Sequence, residues 1–284
     1  MSVVLKGADV VKEMNEAMMA QLAARAAAGQ DAPKLAIVRV GERADDLAYE
    51  RGAVKRFANI GLRTEVYAYP ADIRQEDFLA AFRQINADPD VHGILVFRPL
   101  APQIDDQLVI ETIDPGKDVD GISPANMAKI FAGDSSGFAP CTAAAVMAIL
   151  DHAGISLKGK RVAVVGRSLV VGKPLSMLLL ARDATVTLCH SKTLDLPAVC
   201  RESDILVACV GKAKLLGAEY IRPGAVVIDV GINVDEEGGL WGDVDFAAAQ
   251  SIAGAITPVP GGVGTVTTSM LARQLMKAAD IAGH

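Results

Sequence analysis

The run Val164-Val-Gly-Arg-Ser-Leu-Val-Val-Gly-Lys-Pro174 constrains this chain more than any other stretch. It reads as an apolar strand, a glycine turn at Gly166 and a helix opening around Gly172 to Leu175. Ala184-Thr-Val-Thr-Leu-Cys-His-Ser-Lys192 reads as the next strand, ending about 20 residues on, where a dinucleotide-binding fold selects its cofactor. Folds that bind NAD place an Asp or Glu there to hold the ribose hydroxyls. This chain instead offers His190, Ser191 and Lys192, with Arg167 on the glycine turn. A carboxylate repels a 2′-phosphate, whereas a guanidinium binds one through paired, charge-assisted hydrogen bonds. The pattern favours NADP over NAD. The turn itself, Gly-x-Ser-x-x-x-Gly, departs from the usual Gly-x-Gly-x-x-Gly, and a strand-to-helix connection that holds nothing would look the same. The second strand tips the reading toward a ligand.

The rest of the chain repeats the alternation. Residues 9–28 carry apolar groups at helical spacing (Val10, Val11, Met14, Met18, Leu22) and stop at Gly29. A strand over 34–41, a helix over 46–58, a strand over 62–69, a helix over 75–87 and a strand over 91–97 follow. The polar loop Asp114–Gly121 and a helix from Ala143 to Ala153 lead to further strands at 161–165, 184–189, 205–210, 225–230 and 254–257. A helix over 268–282 closes the chain. This pattern predicts an α/β fold with parallel sheets, in two lobes with a cleft between them. Open α/β sheets bind ligands beyond the carboxyl ends of their strands, so the loops there are where function is expected.

Bulk properties narrow the partners. At 284 residues the chain has room for two domains, and its net charge of −6 argues against a general nucleic-acid or anionic-membrane surface. The four cysteines (Cys141, Cys189, Cys200, Cys209) form no Cys-x-x-Cys and the four histidines show no zinc-ligand spacing, so no metal is expected. Met1 to Lys6 turns polar too soon for a signal peptide, and no apolar run is long enough to span a membrane. A cytoplasmic protein with reduced, structural thiols is the expectation.

Two more loops carry residue types that chemistry uses. Thr257-Pro-Val-Pro-Gly-Gly-Val-Gly264 joins two prolines to three glycines directly after a strand, which lets backbone approach a ligand closely. A tight loop without a ligand has the same composition. Lys117-Asp-Val-Asp-Gly121 supplies two carboxylates, which as a bare pattern is a solvated turn. With these stand Gly93-Ile-Leu-Val96, Pro140-Cys-Thr142, Val165-Gly-Arg-Ser168, Cys189-His-Ser191 and Ile228-Asp-Val-Gly231. In their order and spread the chain resembles the methylenetetrahydrofolate dehydrogenase/cyclohydrolase family, called FolD in bacteria. The resemblance implies a folate-binding catalytic domain over 1–138, completed by a C-terminal helix at 268–284, and a Rossmann-like NADP-binding domain over 139–267. It also implies a homodimer acting on a tetrahydrofolate derivative with NADP. By position, Gly166, Arg167, Ser168, Ser191 and Ile232 would contact NADP, beside His190, which its place at the strand end marks. Tyr49 and Asp120 would serve catalysis and hold folate, Asp120 by accepting hydrogen bonds from the pterin ring. Val96, Phe97, Arg98 and the loop Pro260, Gly261, Gly262, Val263 and Gly264 complete the implied folate site.

The departures from the family pattern bear on the chemistry. The family's Tyr-x-x-x-Lys becomes Tyr49 followed four residues later by Ala53, and positions i and i+4 share a helix face. The family's Gly-Ile-Leu-Val-Gln ends here in Phe97, followed by Arg98, and the serine three residues before the tyrosine is Asp46. Pro-Cys-Thr-Pro becomes Pro140-Cys-Thr-Ala143, and the proline after the last glycine loop becomes Thr265. Hydride transfer depends mainly on positioning two ligands. Opening the methenyl ring with water needs a positioned acid/base group, which alanine and phenylalanine are not. The expectation is an NADP-dependent dehydrogenase with weak or absent cyclohydrolase activity. One alternative keeps both activities, with Lys55, Arg56 or Arg98 reaching the site; another is a folate- and NADP-binding protein without catalysis.

Overall fold

Runs of four to seven residues, most of them apolar and bounded by glycine, proline or polar turns, become most of the strands of two parallel sheets, to which the two-residue strands at Val3–Val4 and Ala255–Ile256 are added. The computed structural model describes residues 2–235 and 237–283. In chain order the elements are β1 (Val3–Val4), α1 (Gly7–Ala27), β2 (Lys34–Val40), α2 (Ala44–Ile60), β3 (Arg63–Tyr69), α3 (Gln75–Ala87) and β4 (Gly93–Val96). Then come α4 (Asp106–Thr112), α5 (Pro124–Ala132), α6 (Cys141–His152), β5 (Arg161–Val165), α7 (Gly172–Leu180), β6 (Thr185–Cys189), α8 (Leu196–Arg201), β7 (Ile205–Ala208) and β8 (Val226–Asp229). The chain ends with β9 (Asn233–Val234), β10 (Leu240–Trp241), α9 (Phe246–Gln250), β11 (Ala255–Ile256) and α10 (Val263–Ala282).

The chain divides into two compact units. The three-stranded unit comprises Glu13–Lys129, Asp134–Ala139 and Thr268–His284; the six-stranded unit comprises Met1–Lys12, Ile130–Gly133 and Pro140–Thr267. Strand order is β3-β2-β4 in the first and β1-β11-β8-β7-β5-β6 in the second. Each sheet therefore has a point where the winding reverses, between β2 and β4 and between β5 and β7. The crevice beyond the carboxyl ends of such strands is where an α/β sheet binds its ligand. β9 and β10 form a separate antiparallel hairpin.

Burial on both faces explains the unbroken apolar strands. In β2, Ala36, Val38 and Val40 pack with Phe78 and Phe82 of α3 and with Ile94 and Val96 of β4. Leu35 and Ile37, pointing the other way, are as fully buried. In the six-stranded unit Ala163, Val165, Leu206, Ala208, Val227 and Ile256 build the corresponding layer.

The helix expected from residue 268 begins five residues earlier, because Val263 and Val266, both buried, extend its apolar stripe backward. Val263 and Gly264 thus belong to the first helical turn and not to the preceding loop. The short helices α4, α8 and α9 fall in stretches without apolar periodicity. Each begins at an aspartate whose carboxylate accepts a backbone N–H: Asp105 from Gln107, Asp195 from Ala198 and Asp245 from Ala248. No helix among the described residues is long and apolar enough to cross a membrane.

One loop departs from its reading as a solvated turn. Asp118 is fully buried, and its carboxylate accepts hydrogen bonds from Ile122 N (2.9 Å), Ser123 N (2.8 Å) and Asn126 Nδ2 (2.9 Å). Lys117 Nζ donates to the carbonyls of Asn86 (2.7 Å) and Asp88 (2.6 Å), tying the loop to the end of α3. From α10, Gln274 Nε2 donates to the carbonyls of Val119 (2.7 Å) and Ala139 (2.9 Å). Removing the Asp118 carboxylate leaves the buried N–H groups of Ser123 and Asn126 and the half-buried N–H of Ile122 without this acceptor, at about 1–3 kcal/mol for a buried donor. Asp118→Ala should therefore cost about 2–3 kcal/mol or more in urea unfolding. Asp118→Asn should recover only part of that, since an amide accepts through one oxygen alone.

Candidate functional site

At the reversal between β5 and β7 the chain leaves β5 through Gly166, whose φ is +125°. A Cβ there would overlap the Cys209 carbonyl at the end of β7, so only glycine lets the two strand ends approach this closely. Gly166 N donates to the Cys189 carbonyl at 2.9 Å, which sets the turn beside the end of β6. Ser168 Oγ accepts from Val171 N (3.1 Å) ahead of α7, while Arg167 stands exposed. At the end of β6, His190 N donates to Thr193 Oγ1 (2.9 Å) and His190 Nδ1 accepts from Lys192 N (3.1 Å). Acceptance at Nδ1 puts the neutral ring's proton on Nε2, leaving that nitrogen as a donor. Ser191 and Lys192 are exposed. Gly166, Arg167, Ser168, His190 and Ser191 are thus gathered on adjacent strand ends, with Lys192 and no carboxylate directly at the end of β6.

Further along the same sheet edge two buried carboxylates tie the loops together. Asp229, 3% exposed, accepts from Gly231 N, Asp243 N and Val244 N, each at 2.9 Å. Asp243, 0% exposed, accepts from Val210 N (2.6 Å), Gly211 N (3.0 Å), Lys212 N (2.9 Å) and Asn233 Nδ2 (3.0 Å). Asp229 N donates in turn to Thr257 Oγ1 at 2.8 Å. Together they anchor a hollow of about 190 Å³ lined by Ile232, Leu240 and the loop Pro258–Thr265. Gly262 sits where a Cβ would strike the Pro258 carbonyl, so the loop closes only around glycine. Gly7 N, at the start of α1, donates to the Gly261 carbonyl at 2.8 Å. Ile232, Pro260, Gly261 and Gly264 are exposed, whereas Gly262 and Val263 are buried.

In the three-stranded unit the reversal between β2 and β4 gathers a second set. The rings of Tyr49, on α2, and Phe97, just past β4, meet edge to face with centroids 5.7 Å apart. Ala53, one turn along α2 from Tyr49, is 1% exposed. Val96 is committed to the core. Arg98 is half-buried, and Asp120 lies half-buried at the loop that Asp118 holds, next to β4 through the Ile94–Asp118 bridge. Lys55 is exposed, and Arg56 Nη1 donates to Ser269 Oγ of α10 at 3.3 Å. Among the described residues no group of three or more His, Cys, Asp or Glu side chains could hold a metal ion. All four cysteines are free thiols, and burial pushes Cys209 up to about 12.

Both stretches of the chain match family models: residues 5–120 the tetrahydrofolate dehydrogenase/cyclohydrolase catalytic domain, and residues 140–282 the NAD(P)-binding domain of the same family. The chain belongs to the tetrahydrofolate dehydrogenase/cyclohydrolase family. It is 52% identical over 278 residues to the bifunctional protein FolD of Alkaliphilus oremlandii, covering 98% of this chain and 97% of that protein. The crystal structure of the Campylobacter jejuni FolD methylenetetrahydrofolate dehydrogenase/cyclohydrolase superposes with a TM-score of 0.96 at 36% identity, over 99% of each chain. The Trypanosoma brucei FolD structure, complexed with NADP cofactor and an inhibitor, gives a TM-score of 0.93 at 35% identity, over 100% of this chain and 99% of that one. The two-domain α/β architecture, a catalytic domain and an NAD(P)-binding domain, is therefore that of the family.

Sequence reasoning missed the Asp229–Asp243 pair. Its only signals were the aspartate within Ile228-Asp-Val-Gly231 and a second one after Gly242. Burial pushes Asp229 up to about 6, with the Asp243 charge adding to the shift against the pull of the backbone N–H groups. The folded value lies above the ordinary 3.8, so the native state holds the extra proton. The stability this group contributes is complete below the ordinary value and is lost as pH rises through about 6. Subtracting the unfolding free energy of Asp229→Asn from that of the wild type should give a difference that falls between about pH 4 and pH 7. A flat or rising difference would mean that Asp229 titrates low.

Proposed function

We propose that this protein is an NADP-dependent methylenetetrahydrofolate dehydrogenase, forming methenyltetrahydrofolate, whose cyclohydrolase activity is weak or absent. The observation that carries this reading is the apolar surface at the second strand reversal. Where the family pattern calls for a lysine stands a buried alanine, Ala53, and where it calls for glutamine stands Phe97, 8% exposed and packed on Tyr49. On this reading residues 1–138 with 268–284 bind folate and 139–267 bind NADP, in a cytoplasmic homodimer.

The glycine turn fits a dinucleotide. The close approach at Gly166, exposed Arg167, and exposed Lys192 without a carboxylate directly at the end of β6 suit a pyrophosphate and a 2′-phosphate. When bound, the oxidised dinucleotide supplies the hydride acceptor. Gly166, Arg167, Ser168, His190, Ser191 and Ile232 would hold it, with Arg167 and the Nε2 donor of His190 toward the 2′-phosphate. Tyr49, with Phe97 behind it, would present a flat wall to the folate; Asp120 would accept from the pterin ring; Pro260 to Gly264 would offer backbone. Folate's own nitrogen lone pair stabilises the cation left by hydride loss, so no side chain need remove a proton in that step. Hydrolysis of the methenyl ring does need proton transfers around water, typically worth about 10²- to 10⁴-fold. Neither Ala53 nor Phe97 can make them.

A bifunctional enzyme is the second reading, favoured by the bifunctional name of relatives such as the Alkaliphilus protein. It would have to use Lys55, Arg56 or Arg98. Lys55 is exposed, Arg56 is bonded to Ser269, and arginine is a poor proton shuttle. The test gives the pure protein methylenetetrahydrofolate and NADP⁺ and follows NADPH and methenyltetrahydrofolate together. Methenyl product should accumulate in step with NADPH, and NAD⁺ should be the poorer acceptor. NADPH without methenyl accumulation, beyond spontaneous hydrolysis, would favour the bifunctional reading; both ligands bound without NADPH would leave a binding protein. The double substitution Ala53→Lys, Phe97→Gln should raise hydrolysis by about 10²-fold or more, and its failure to do so would count against this explanation.

A further inference from the structure

Two helices of the three-stranded unit begin with the same local device, and only one of them reaches another element. Arg74, before α3, donates from Nε and Nη2 to the two carboxylate oxygens of Asp77, at 2.7 and 3.0 Å. Arg43, before α2, does the same to Asp46, at 2.8 Å for each bond. Arg43 Nη2 then crosses to the carbonyl of Arg98, past β4, at 3.2 Å. Arg98 follows Phe97, and Phe97 meets the ring of Tyr49, which stands on α2 three residues beyond Asp46. The contacts close a circuit: Arg43, Asp46, Tyr49, Phe97, Arg98 and back to Arg43.

The circuit has a second support. Arg39, near the end of β2, donates from Nε to Glu50 Oε2 and from Nη1 to the Gly41 carbonyl, both at 2.7 Å. Tyr49 therefore sits between two helix positions, Asp46 and Glu50, that arginines hold from the strand exits. The Arg43 side chain is 45% exposed, so its ion pair adds little to folding. What a planar fork with a third bond can do is fix direction. The same bonds account for Asp46: both its oxygens accept from Arg43.

We propose that Arg43 is a positioning residue for the dehydrogenase, its fork on Asp46 and its bond to the Arg98 carbonyl holding the Tyr49–Phe97 pair in the orientation the reaction uses. This rests on the reading of Tyr49 as a folate contact.

The test compares Arg43→Met, Arg43→Lys, Asp46→Ala, the Arg43→Met/Asp46→Ala double variant and the control Arg74→Met in the full-length protein. Arg43→Met should lower kcat by about 10- to 100-fold, the scale of a small misplacement at a reacting centre. Its KM for NADP and its Tm should stay near wild type. Asp46→Ala should act in the same direction, and the double variant should fall no further than the worse single, as expected of one coupled unit. Arg43→Lys, which cannot serve the fork and the carbonyl together, should remain impaired, and Arg74→Met should not change kcat. In protein labelled with 3-fluorotyrosine, the Tyr49 fluorine signal, assigned with Tyr49→Phe, should move in Arg43→Met and not in Arg74→Met. A wild-type kcat in Arg43→Met or Arg43→Lys, additive losses in the double variant, or a joint fall in Tm and NADP affinity would overturn the proposal. An unmoved fluorine signal would overturn it too. If wild-type protein makes no NADPH, the functional reading fails by itself, and the fluorine signal still decides whether Arg43 holds Tyr49.

Discussion

Loops at the carboxyl ends of parallel strands carry many backbone N–H groups and no ladder to satisfy them. This structure meets that demand with carboxylates taken into the interior. Asp118 collects two backbone donors and one amide; Asp229 and Asp243 together collect six backbone donors and one amide. A buried carboxylate is costly alone, and becomes sustainable when several donors converge on it. The dependence runs both ways: each loop owes its shape to its carboxylate, and each carboxylate its place in the interior to the donors of its loop. The candidate ligand residues Asp120, Ile232 and the Pro260–Gly264 segment all lie on or beside backbone held in this way.

Topology explains why these loops fall where they do. Each sheet reverses its winding once, and at each reversal two strand ends part and leave a crevice. One crevice is shaped by a glycine that lets strand ends meet, the other by a helix pinned through arginines. The first suits a flat, anionic ligand met largely by backbone. The second offers an edge-to-face aromatic pair beside two arginine–carboxylate ion pairs. On the proposed reading these surfaces serve hydride transfer, which requires orientation more than proton exchange.

Family membership and site chemistry stand at different levels here. Both halves of the chain match the family, and the fold follows it closely. Within that frame, residues 43, 46, 53 and 97 form a locally consistent set: an arginine fork, its carboxylate, a small buried residue and an aromatic ring. Ala53 is buried one turn from Tyr49, Phe97 meets the Tyr49 ring, and the fork holds the carbonyl beyond Phe97.

Much of this protein was legible in the sequence. Periodicity marked the long helices and both sets of strands, the glycine turn with its carboxylate-free second strand marked the dinucleotide half, and spacing alone put Ala53 one turn from Tyr49 on α2. Short helices, the β9–β10 hairpin and the two-residue strand β1 were not legible, because too few residues repeat to show a period and tertiary pairing holds them. Nor could spacing tell Asp118 from Asp120: two residues apart in the chain, one is buried as an anchor and the other half-exposed. The same holds for Asp229, Asp243 and Asp46, whose partners lie elsewhere on the chain or cross to another element. The sequence by itself determined the family, the α/β alternation and the residue types at the strand ends, since those depend on local order. Which carboxylates serve the fold and which face a ligand was decided only by the tertiary structure, because burial and the convergence of distant donors are set when the chain closes on itself.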